Sequence, residues 1–242
     1  MSNIVIPDGG NIGSASDTDA IAIASDGGLT FSSGIDDAGT VSAGTLGSAV
    51  TGPQMQLVHL ETQTVTATAN LTFEGKLSST YDTYMLLGSQ IKPDTNNRRL
   101  GLQLGVGSAG SVTYRTTAYS AQVQKIESGS FGSVINEANV TEAIIGGYGN
   151  QGNDTNSYAY TQVHLFNTQN SSVRSMGSIS AGGYKYNSDP DWIYTVGGFV
   201  LGDSTNSYTE AHTSIKLLFG TSTYSLSDTG QGKFSLYGIK NG

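Results

Sequence analysis

YAYTQVHLFNTQNSSVRSMGSISAGGYKY, residues 158–186, decides the fold class. Two runs in it, 158–168 and 173–186, place apolar and polar side chains in alternation. Alternation puts successive side chains on opposite faces of a pleated strand. The joint between the runs is made of Gln, Asn and Ser, residues of turns. Working outward, the same pattern recurs at 55–66, 70–75, 83–88, 100–106, 111–124 and 142–146, and again at 192–201, 212–221 and 233–239. Gly, Asn, Asp and Ser separate these runs, as turn chemistry requires. No stretch sustains an i, i+3, i+4, i+7 apolar pattern between caps, so no helix is expected. The fold class is therefore all-β. Roughly ten strands in one body fit a jelly-roll-like β-sandwich.

Composition agrees. The 242 residues include 33 Gly and 4 Pro, and no Cys, which removes disulfides, thiolate metal sites and cysteine nucleophiles. Charged residues make up 12%, about half the ordinary share. The surface is then largely hydroxyl, amide and glycine backbone. Net charge is −8 with no basic patch, so no nucleic acid is expected as partner. The start, MSNIVIPDGG, has neither the basic region nor the apolar run of a signal peptide. No stretch approaches a membrane span, so no membrane partner is expected.

Texture changes near Pro53. Residues 1–53 hold six of the 19 acids (Asp8, Asp17, Asp19, Asp26, Asp36, Asp37) and no Lys or Arg, leaving 13 acids against all 11 bases beyond. Short apolar pulses, Ile4 to Ile6, Ile21 and Ile23, Leu29 and Phe31, Val41, Leu46 and Val50, are broken by glycine-rich turns. DGGLTF (26–31) and DAGTVS (37–42) read as weak copies of one unit. Units too small to bury their own faces stack on copies or on other chains. This divides the chain into a glycine-rich assembly arm or fibre-shaft segment, 1–53, and a sandwich domain, 54–242. A second similarity lies in the domain: GNDTNSY (152–158) and GDSTNSY (202–208) each precede a strand ending in LFNT (165–168) or LFGT (218–221). Either turn chemistry repeats itself, or a pseudo-repeat sets both loops at one end of the sandwich.

Chemistry-bearing constellations are sparse. His59, His164 and His212 each fall in an alternating run, where a histidine is most often a surface or cross-strand residue. There is no GxSxG, HExxH or P-loop pattern. Glu61, Glu74, Glu127, Glu137, Glu142 and Glu210 are the glutamates that a glycan-cleaving pair would draw on. Asp17-Thr18-Asp19, Asn153-Asp154 and Asp189-Pro190-Asp191 carry oxygen ligands, but none matches a calcium loop and turns explain them. No catalytic residue, metal or cofactor is therefore assigned, and an enzyme is not expected. Glycan contact has a firmer basis, because sugars stack their apolar face on an aromatic ring. Trp192, the sole tryptophan, follows the polar loop Tyr186 to Asp191 and has Tyr184 and Tyr194 nearby. The bland reading buries Trp192 in the core. The other makes Trp192, Tyr184, Tyr194 and Asp191 the contact site.

Resemblance enters at GTLGSAV (44–50). The run SDGGLTFSSG (25–34) through DDAGTVSAGTLGSAVTGP (36–53) resembles the shaft-to-head junction of bacteriophage tail-fibre and minor structural proteins, notably of marine and cyanobacterial phages. FEG (73–75), YDTYMLL (81–87), IKP (91–93) and LGLQL (100–104) look like the start of a β-sandwich in such proteins, and FSLYGIK (234–240) is similar to their closing strand. Residues 110–230 carry no family motif. The resemblance implies a structural virion protein made in the host cytoplasm. It would be a homotrimeric tail fibre or receptor-binding surface protein, held to other virion proteins by 1–53, with a host surface glycan as possible ligand. A capsid decoration protein, a head fibre or knob, is the alternative implied.

Overall fold

A computed structural model describes residues 11–14, 17–23, 29–31, 56–66, 68–96, 98–127, 130–151, 158–184, 192–202, 208–219 and 232–240. The chain divides into two compact units, Met1–Thr51 and Gly52–Gly242. In the first, β1 (Asn11–Ser14), β2 (Asp17–Ile23) and β3 (Leu29–Phe31) form a three-stranded antiparallel sheet in chain order. Across it Ile21 pairs with Ile12 on one side and with Phe31 on the other. Ile4 to Ile6, the second copy at 37–42 and GTLGSAV lie outside the described residues.

The second unit is an antiparallel, sandwich-like fold with no helix among the described residues. It starts with β4 (Gln56–Thr64), β5 (Asn70–Phe73), β6 (Thr83–Ile91) and β7 (Arg98–Ser108). The hairpin partner β8 (Ser111–Tyr114), then β9 (Tyr119–Glu127), β10 (Ser130–Val140) and β11 (Ala143–Gln151) follow. The remainder is β12 (Ala159–Phe166), β13 (Met176–Tyr184), β14 (Trp192–Leu201), β15 (Ser214–Phe219) and β16 (Lys233–Lys240). One sheet has eight strands in the order β10-β9-β14-β13-β12-β6-β16-β4, and the other runs β11-β7-β15-β5 with β8 on β7. Gly105 pairs with both Ser214 and Tyr114, so β8 lies on the side of β7 away from β15.

Alternation sets the layers. In β12, Ala159, Thr161, Val163 and Leu165 are buried while Tyr160 and Gln162 are exposed. Phe73, Tyr84, Leu86, Leu102, Leu104, Val163, Leu165, Phe219, Phe234 and Leu236 belong to one core cluster between the sheets. β11 packs across β9, β14, β13 and β12, which places the smaller sheet over the middle of the larger. Two buried hydroxyls cross the gap. The Leu104 amide on β7 donates to Tyr119 Oη on β9 at 2.7 Å, and Thr161 Oγ1 on β12 donates to the Ile145 carbonyl on β11 at 2.6 Å. Each gives a buried polar group a partner it would otherwise lack. Burial raises the Tyr119 phenol far above its usual range, so the group stays neutral.

Several sequence expectations need correction. The run 111–124 is two strands, because the chain turns at 115–118 through Ala118 in a left-handed conformation (φ 65°). β10 was not expected at all, since SFGSVINEANV is polar and lacks a clear period. It is an edge strand, and its core-facing Ile135 and Val140 are only partly buried, so the apolar period is weak. LFNT and LFGT end strands of different sheets, β12 and β15, and the loops 152–157 and 203–207 before them lie outside the described residues.

Gly197 shows how tightly the inner face is packed. A Cβ there would stand 2.3 Å from the Gln122 carbonyl oxygen and 2.6 Å from Val123 Cα. Gly110, by contrast, has φ +82° and nothing within 4 Å of such a Cβ. Gly197→Ala should lower unfolding free energy by about 2 kcal/mol or more through forced backbone movement. Gly110→Ala should cost about 1 kcal/mol from the left-handed conformation alone. Urea melts of the two variants that give equal losses would contradict the packing described.

Candidate functional site

The larger sheet's outer face collects the sequence-singled residues. Tyr184 and Trp192 are direct cross-strand partners on β13 and β14. They are 48% and 46% exposed, so Trp192 is not the core residue of the bland reading. The reason is parity: Ile193 and Thr195 turn inward, which sends Trp192, Tyr194 and Val196 out. Asp191 and the rest of the loop 185–191 lie outside the described residues.

The next row adds a ring that sequence reasoning missed. Tyr160, Gly182, Tyr194 and Ile126 align across β12, β13, β14 and β9. The Tyr160 ring lies down over Gly182, where a Cβ would meet Cε1 at 2.7 Å. Only glycine leaves room for that ring. Tyr194 Oη shares a 3.1 Å hydrogen bond with Ser180 Oγ. Burial, then the neighbouring Tyr194, raises the Tyr160 phenol, so this hydroxyl stays a neutral donor near neutral pH. Four rings thus stand together, with hydroxyls beside them. Rings for stacking and neutral donors for hydroxyls are the chemistry a sugar needs. Tyr160 was legible only as an alternating strand position. Its place beside Tyr194 needs the order of three strands.

Farther along the same face is a shallow groove of about 630 Å³. Its floor is open because Gly198, between Gln122 and Ser178, has no side chain. Gln122 Nε2 donates to Asn136 Oδ1 at 2.8 Å on one side, and Phe166, Met176 and Val200 line the other. Glu137 reaches the groove but is held by Arg99 at 2.5 Å.

A second constellation has catalytic residue types but no access. Arg115 grips Glu210 with two hydrogen bonds of 2.5 Å, Nε to Oε1 and Nη2 to Oε2. His212 Nε2 is 3.4 Å from Glu210 Oε1, and His212 Nδ1 is 3.0 Å from Ser175 Oγ. Ser175 and His212 are both 0% exposed, so solvent and substrate do not reach the hydroxyl. The His212 amide also donates to the Thr168 carbonyl, and Gln169 Nε2 donates to the His212 carbonyl. The group clamps the segment before β15 onto the turn after β12. His212 is therefore buried, unlike the strand-surface histidine expected, while His59 and His164 do stand on the outer face.

The glutamates all have structural partners. Glu61 pairs with Lys76, Glu127 with Lys125, Glu137 with Arg99 and Glu210 with Arg115. Glu74 accepts from the Gly110 amide, and Glu142 accepts from Thr141 Oγ1. Among the described residues no three His, Asp or Glu side chains come together as a metal would require. Asn153-Asp154, Asp189 and Asp191 lie outside those residues, as do the Asp17 and Asp19 side chains. No protein-family model matches the chain, and no curated protein matches it.

The clamp fixes a pH dependence. Burial, opposed by the Glu210 charge, holds the His212 imidazole below its ordinary value. Burial alone would raise the Glu210 carboxyl, but the Arg115 hydrogen bonds and charge outweigh it and hold the group low. The unfolded chain protonates this histidine near pH 6.5 and the folded chain does not, so stability falls as pH drops below about 6.5. The Glu210 contribution is full above about pH 4.3 and is lost as pH falls further. The thermal midpoint should decline in those two windows. Glu210→Gln should lower it at pH 7 and flatten the more acidic step. A wild-type midpoint that holds level from pH 7 to pH 3 contradicts the clamp.

Proposed function

We propose that the chain is a non-enzymatic structural component of a bacteriophage particle, a homotrimeric tail fibre or receptor-binding surface protein. Residues 1–53 attach to other virion proteins, and residues 54–242 form the exposed sandwich. The observation that carries this reading is the larger sheet's outer face. It offers rings, amides and hydroxyls to a partner, while the carboxylate and guanidinium of the best-formed catalytic-type cluster are spent on a partly buried clamp. The arm supports it too: a three-stranded sheet with strands as short as Leu29–Phe31 has too few apolar positions to bury by itself. Antibodies against 54–242 should decorate one repeated structure on purified particles in electron micrographs. Particles whose mass spectra lack the chain would overturn the proposal.

A second reading, recognition of a host surface glycan, rests on the four rings Tyr160, Tyr184, Tyr194 and Trp192. Trp192 is the only tryptophan, so selectively excited tryptophan emission reads this site alone. Host polysaccharide should protect its emission from iodide quenching, and Tyr160→Ala should weaken binding at least tenfold, equivalent to about 1.4 kcal/mol. Emission that polysaccharide leaves unchanged, with no binding by the full chain, removes the glycan role and leaves the scaffold one.

A further inference from the structure

We infer that the larger sheet's outer face, from β10 to β12, is where copies of this chain meet. The inference deepens the self-assembling part of the proposed function by naming the surface that does it.

The first observation is chemical. Among the described residues, the outward positions of all eight strands include no Asp, Glu or Arg and a single lysine, Lys233, near one end of β16. One row shows the pattern across the whole sheet: Asn136, Gln122, Gly198, Ser178, His164, Met85, Tyr237 and His59. The other sheet differs. Lys216 on β15 points to its outer side, with Nζ 4.7 Å from the Tyr114 ring, and Glu142 covers Gly101.

The second observation is apolar exposure. Eight large apolar side chains are exposed among the described residues; six sit on this patch, Leu57 lies on the same sheet's β4 and Val173 lies outside the strands. Val134, Val196 and Met176, at 51%, 41% and 43% exposure, do nothing for a sugar but are ordinary for a protein interface. On β14 the outward set, Trp192, Tyr194 and Val196, is as apolar as the inward one. A strand apolar on both sides belongs to a sheet covered on both sides.

The third is size. Five strands about 4.8 Å apart and the eight steps from Met176 to Tyr184 at about 3.4 Å each give a patch of roughly 650 Å² in projection. Side-chain relief brings that near the roughly 800 Å² per partner of a standard interface.

Charge matching selects the occupant. A partner with an ordinary charged surface would bury its ions against a face that offers none in return, at a cost of several kcal/mol per unpaired ion. Another copy brings outward positions equally free of charge, and the Glu137 that reaches the groove is already neutralised by Arg99 of its own chain. Tyr184 and Trp192, in the last row before the 185–191 segment, fall at the rim, where rings remain reachable.

The test uses the full chain in solution, with mass read by light scattering and sedimentation. Wild type should be an oligomer. Val196→Glu combined with Met176→Glu should raise its dissociation constant by at least about a hundredfold, since two carboxylates are buried unpaired. Thr113→Glu, on exposed β8, should leave the mass unchanged. Both side chains replaced are exposed, so the dissociated variant should keep the β circular-dichroism spectrum of wild type. A monomeric wild type overturns the inference together with the self-assembly reading. A wild-type oligomer that survives the double substitution overturns only the choice of face. A monomer that binds host polysaccharide, and loses it on the same substitutions, makes the face a sugar site instead.

Discussion

Exclusion of water from the gap between the two sheets is the constraint on which the rest of the body depends. Apolar burial there favours folding by about 25 cal/mol per Å² removed from water. The gap tolerates polar atoms only in pairs, and the Tyr119 and Thr161 hydroxyls show the solution. Each reaches across to a backbone group of the opposite layer, so neither is orphaned and the two sheets are pinned in register. Each strand then has a fixed inward parity, and everything exposed follows from it. Trp192 faces out because Ile193 faces in.

The clamp around Glu210 and the outer face divide the chemistry of the molecule between them. Arg115, Glu210, His212 and Ser175 have the residue types of a reactive centre, yet their groups are spent on one another and on the turn after β12. Among the described residues, the outward positions of the larger sheet carry one ion, Lys233, and the Glu137 that reaches the groove is held by Arg99. What the face presents are surfaces that interact by area and by neutral hydrogen bonds.

Much of this was legible in the sequence. Period-two alternation located most strands of the body, because each had one face to bury, and 192–201 was located to the residue. Alternation failed where burial is slight or the strand is broken. β10 is a polar edge, and Ala118 interrupts 111–124 without glycine or proline to announce it. At Trp192 alternation found the two faces but not which was inward. Hydropathy pointed the wrong way there, since Trp, Tyr and Val form the outer set. Tyr160 joins the other rings only through the order of β12, β13 and β14, and long-range pairing is not written in local pattern. His212 is hidden for the same reason, as its burial depends on Ser175 and Thr168 from another part of the chain.

Eight strands in one open sheet have a geometric consequence. Neighbouring strands rotate by about 20–25° in a constant sense, and seven steps separate β10 from β4. The two edges are therefore turned by roughly 150° relative to each other, and the outer face winds like a propeller blade. No flat body can lie along all of it. Whatever covers the β10 end looks in a different direction from whatever covers the β4 end, so one molecule has two outlooks, each open to a different neighbour.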